Sequence, residues 1–119
     1  MENIKPKYDL EERTFQFAKN VRLYIRKLPK TIANIEDGKQ LVKASGSVGA
    51  NYIEANESLS KKDFLMRIKI SRKEAKESAY FLRLIYEINS DDFESEGVKL
   101  FDEAVQLKKI LSSIIEKSK

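Results

Sequence analysis

Leu10, Thr14, Phe17, Val21, Tyr24 and Leu28 recur at alternating steps of four and three, a stripe that is apolar apart from Thr14. At 3.6 residues per turn these positions share one face of a helix, and no strand can gather them on one side. The same spacing returns three more times before the C-terminus. With only two prolines and four glycines to interrupt 119 residues, four long helices are expected. Pro29 ends the first, which Asp9 and Glu12 open as a capping box. The second is expected to start near Asn34–Glu36 and to end near Leu59. Ser60 and Asp63 cap the third, which runs from about Lys61 to Ile88. A turn rich in capping residues, Asn89–Glu96, leads into a fourth that carries Leu100, Ala104, Leu107, Leu111 and Ile114. Short connections between long helices predict an all-α, antiparallel, up-down-up-down four-helix bundle. It forms a single domain over residues 1–119, with 1–8 and 118–119 expected to fray.

Charged residues make up 35% of the chain and hydrophobic ones 41%, the balance of an ordinary folded domain. No apolar run approaches the roughly 18 residues of a membrane helix, and the first residues lack a signal-peptide core, so a cytoplasmic location is expected. The absence of Cys and His removes thiol nucleophiles, Ser–His pairs and the usual zinc ligands. Glu54-x-x-Glu57 and Glu74-x-x-Glu77 resemble the carboxylates of di-iron bundles, but that chemistry also needs a His three residues after the Glu. No catalytic residue, cofactor or metal is expected.

The second helix contains Gly46 and Gly49, a G-x-x-G pair of the kind that clamps a nucleic-acid backbone when it forms a loop. Here helical spacing continues straight through it: Leu41, Ala44, Val48, Tyr52, Ala55 and Leu59 form a core stripe. Val42, Gly46, Gly49, Ala50 and Ile53 form a second, low-profile one. A helical glycine costs about 0.5–1 kcal/mol relative to alanine, so two on one side point to a close helix approach rather than a phosphate loop. Between the stripes lie Ser47, Asn51 and Glu54, expected to form a polar network between helices.

The third helix has two apolar faces. Phe64, Ile68, Ser71, Ala75, Ser78, Ala79, Leu82 and Tyr86 face the core, and Met66, Ile70, Phe81, Leu84 and Ile88 face nearly the opposite way. In a lone bundle the second face would meet water, so it is a candidate surface for another copy of the chain, with Phe15 and Leu23 of the first helix as further candidates. Basic residues make two stripes, Lys19, Arg22, Arg26 and Lys30 on the first helix and Lys69, Arg72, Lys76 and Arg83 on the third. Such stripes can follow a phosphate backbone, although the surplus of positive charge is only four. The alternative is a solvated surface with local ion pairs.

The segments DLEERTFQFAKNV (9–21), QLVKASGSVGANYIEA (40–55), SKKDFLMRIKIS (60–71) and KEAKESAYFLRLI (73–85) resemble the four-helix-bundle family of 23S rRNA intervening-sequence proteins, over nearly the whole chain. That family is itself similar to the accessory variability determinant proteins of diversity-generating retroelements. The resemblance implies an antiparallel four-helix bundle assembled as a homopentameric barrel, of bacterial origin, with an S-x-x-x-N-x-x-E arrangement falling on Ser47, Asn51 and Glu54. The related accessory proteins are basic barrels that bind nucleic acid and a reverse transcriptase. Residues and resemblance together give a non-enzymatic, self-assembling bundle that binds structured RNA or other nucleic acid through its basic stripes. The alternative is a protein-binding adaptor or scaffold, for example for a reverse transcriptase or another nucleic-acid enzyme, without direct nucleic-acid contact.

Overall fold

The computed structural model describes residues 6–119 (side chains from residue 10 onward) and consists of four α-helices: α1 (Pro6–Lys27), α2 (Ile32–Asn56), α3 (Lys61–Ile88) and α4 (Glu94–Lys117). A single 3-10 turn, Asp91–Phe93, joins α3 to α4, and no strand occurs among the described residues. Of residues 1–8, expected to fray, 1–5 lie outside the described part, whereas 6–8 belong to the first turn of α1. Each helix turns its spaced apolar stripe inward. Phe17, Val21 and Tyr24 of α1 meet Leu41 and Val48 of α2, Ile68, Leu82 and Ile85 of α3, and Leu107 and Leu111 of α4 in one core.

Each helix touches its neighbours in sequence, and α1 closes on α4, so α1 and α3 stand at opposite corners of the bundle. The seams carry identifiable pairs. Asn56 of α2 donates to Glu11, and the Arg22 guanidinium donates to the Val42 carbonyl. Ser71 donates to the Val48 carbonyl at 2.6 Å, joining α3 to α2 in a fully buried contact. Tyr86 meets Phe101 edge to face across α3 and α4. Arg13–Glu103 and Lys27–Glu96 ion pairs bridge α1 and α4.

Four sequence expectations are corrected at helix ends. Asp9 lies inside α1 rather than capping it, because the helix already starts at Pro6, whose fixed φ and missing N–H suit a first turn. Thr31 caps α2 instead, its hydroxyl accepting from the Asn34 amide, and the helix runs Ile32–Asn56. Leu59, assigned to the core stripe, therefore falls in the α2–α3 connection and is fully exposed. At the C-terminus Ile115 is the residue sealed in the core, while Ile114 only flanks it. Ser60 caps α3 as expected, accepting from the Asp63 amide.

Candidate functional site

The glycines of α2 have no left-handed backbone and lie within an unbroken helix. All three face α1. A Cβ at Gly38 would stand 3.3 Å from an Ile25 methyl, at Gly46 3.1 Å from the tip of Arg22, and at Gly49 2.8 Å from the Thr14 hydroxyl. The pair is a packing device, as its periodicity implies.

The three residues expected to form an inter-helix network are only partly joined. Asn51 accepts from Arg67 of α3 at 3.2 Å and donates to the Ser47 backbone carbonyl one turn back. Glu54 is exposed and its carboxylate takes no part in that network. Arg67 and Ser71 complete this seam from α3, an arginine and the serine that the sequence offers as partners across the way, through the Asn51 amide oxygen and the Val48 carbonyl.

The outward side of α3 divides into two lanes. Met66 and Ile88 are 49% and 57% exposed, with Ile70 and Leu84 half-buried between them. Phe81, expected to point outward with them, is half-buried and packs against the core. It also meets Tyr80 edge to face, so it belongs to the border of the lane. Roughly 120° around the helix runs the basic lane. Lys69, Lys76 and Arg83 are exposed there, while Arg72 is half-buried and reaches Ser112 of α4. Arg83 is held by Glu87 at 2.8 Å, which raises its pKa. On α1, Lys19, Arg22 and Arg26 are exposed, but Arg22 spends its donors on the Ala18 and Val42 carbonyls and on Ser45. Lys30, expected on the same helix, is exposed in the α1–α2 connection instead, because α1 ends at Lys27 ahead of Pro29. Phe15 is exposed and Leu23 half-buried. The basic stripes of α1 and α3 thus sit at opposite corners and do not merge within one chain.

Glu74, on the border of α3 nearest α2, is half-buried. Burial raises its carboxyl above the ordinary range, Glu77 adds to the shift, and Lys73 and Lys43 oppose it. Glu54 and Glu57 are exposed, and no cluster of three or more metal-ligating side chains occurs among the described residues.

The model of the 23S rRNA-intervening sequence protein family matches residues 7–113. The chain belongs to that family. A solved structure from Bacteroides thetaiotaomicron VPI-5482, described as a protein with unknown function from the S23 ribosomal protein family, shares its fold with a TM-score of 0.70. The two are 28% identical over 89% of this chain and 97% of the other. No curated protein matches. For this member of the intervening-sequence family, the four-helix fold and the family assignment agree with the sequence reading. Among the described residues, no helix is long and apolar enough to cross a membrane.

Proposed function

We propose that this intervening-sequence family protein is a non-enzymatic, cytoplasmic assembly unit that covers the apolar lane of α3 with another copy of itself and binds structured RNA through its basic stripes. The carrying observation is the exposure of Met66 and Ile88 on a helix whose opposite face is already sealed in the core. An apolar lane of this kind beside polar flanks is the usual mark of an interaction surface. An up-down-up-down antiparallel path is supported by the paired contacts, since residue numbers rise on one helix as they fall on its neighbour: Asn51 with Arg67, Val48 with Ser71, Asn34 with Asn89. The homopentamer is the assembly that the family resemblance implies.

Within one chain the two basic stripes are separated, and assembly would repeat them around a ring and enlarge the field. Lys19, Arg26, Lys30, Lys69 and Lys76 have no ion pair among the described residues and are the side chains open to phosphates. The test is RNA binding measured across salt concentrations. Affinity should fall with a slope of about −0.7 to −0.9 per neutralised phosphate, and Lys69→Glu with Lys76→Glu should flatten that slope while leaving the assembly intact. An unchanged slope in the double variant would remove α3 from the RNA surface.

The second reading, a protein-binding adaptor, is favoured by one observation: Arg22, Arg72 and Arg83 already have partners within the chain. On that reading, a defined protein co-purifies from the native host and survives nuclease treatment.

A further inference from the structure

Beside Gly38 the α1–α2 seam opens into a cleft of about 500 Å³, within the roughly 300–1,000 Å³ range of small-molecule sites. Its floor is Ile25, Leu28, Gly38 and Val42. Leu28 and Gly38 are buried, Ile25 and Val42 half-buried, and Ile35 stands at the mouth. Lys30, Lys39 and Lys43 form the rim, and no carboxylate lines it. Lys39 has Glu36 at 3.6 Å, and Lys43 is close enough to Glu74 to act on its carboxyl, whereas Lys30 has no ion pair among the described residues. The N-terminus of α2 adds the positive end of its dipole, and its first turn holds no acidic residue to offset it.

The lining limits what can enter. Arg22 reaches across the seam to the Val42 carbonyl beside Gly46, and Pro29 of the α1–α2 connection lines the cleft toward its other end. A base would need an aromatic surface to stack on, yet no aromatic residue lines the cleft. A short apolar floor inside a cationic rim fits a flexible hydrocarbon chain with one anionic end. We infer that this cleft binds a free long-chain carboxylate, its hydrocarbon lying on Ile25, Ile35 and Val42 and its head group against the lysine rim.

Sodium dodecanoate, kept below its micelle concentration, is the probe. Titration into 15N-labelled protein should give saturable binding of one molecule per chain, with amide shifts concentrated at Ile25, Ile35, Gly38 and Val42. The exposed pair Lys30→Glu and Lys43→Glu should weaken calorimetric binding at least tenfold with helical content unchanged. 1-Dodecanol, the same chain without the charge, should bind at least tenfold more weakly to the wild type. Equal affinity for the alcohol, an unaltered affinity in the lysine variant, or shifts clustered elsewhere would each overturn the assignment. So would protein that sediments with phosphatidylglycerol vesicles and ignores monomeric dodecanoate, because that is contact with a bilayer surface rather than occupation of the cleft. Ile35→Trp, which fills the mouth from an exposed position, provides a second variant: undiminished binding there also refutes the proposal.

Discussion

Gly49 and Gly46 share a helix and a seam, but their surroundings assign them different tolerances. A methyl at Gly49 would press on the Thr14 hydroxyl at 2.8 Å and its Cβ at 3.1 Å. Thr14 cannot easily retreat: it is buried, and its hydroxyl donates to the Leu10 and Glu11 carbonyls. Gly49→Ala should therefore lose about 1–2 kcal/mol, as overpacking outweighs the gain in helix propensity. Gly46→Ala meets only the flexible end of Arg22 and should be neutral or stabilising by up to about 1 kcal/mol. Urea denaturation of the two variants distinguishes the cases, and equal effects would mean that the seam is looser than its distances. Glu74 gives a test that depends on pH. Burial holds its folded-state pKa above the unfolded value, so its contribution to stability is complete below the ordinary glutamate range and is lost as pH rises through the raised value. Glu74→Gln should therefore melt higher than the wild type at pH 7, and the gap should close on acidification below about pH 4. A gap that is constant with pH would mean that ionisation is not its cause.

The ends of the helices show where local signals suffice. Ser60 was legible because a capping residue, an acidic partner three positions on and an apolar run all coincide, and its hydroxyl does take the Asp63 amide. Thr31 was missed because Ile32 and Ala33 follow it with no acidic residue in the first turn. Leu59 continued the helical spacing on paper, yet the chain leaves the helix after Asn56 with no glycine to announce it. A longer-range device pins the far ends of α2 and α3. Asn34 and Asn89 exchange side-chain hydrogen bonds at 2.8 and 2.9 Å, while Asn34 also donates to Pro29 and Asn89 to Ile85. Asn34→Ala should cost about 1–3 kcal/mol by leaving its partners unpaired near the core. Asn89→Ala should add less in the Asn34→Ala background than it costs alone, by about 1 kcal/mol. Strict additivity in thermal melts would show that the two amides act independently.

At the scale of the molecule, α3 has more apolar surface than one bundle can cover. Met66→Asp or Ile88→Asp, both at exposed positions, should yield smaller particles by light scattering with unchanged helical content. Wild type that already runs as a single chain would refute the assembly. Four helices, their core stripes, the packing role of Gly46 and Gly49, and the two lanes of α3 were all written in residue spacing, because the helical period places side chains on faces without reference to anything distant. Spacing could not say that Arg22 and Arg72 are drawn into neighbouring helices, that Phe81 turns toward the core, that Glu54 stays out of the seam, or that a cleft opens beside Gly38. Each of those depends on what stands across the gap from a side chain, and only the packing of one helix against another supplies that neighbour.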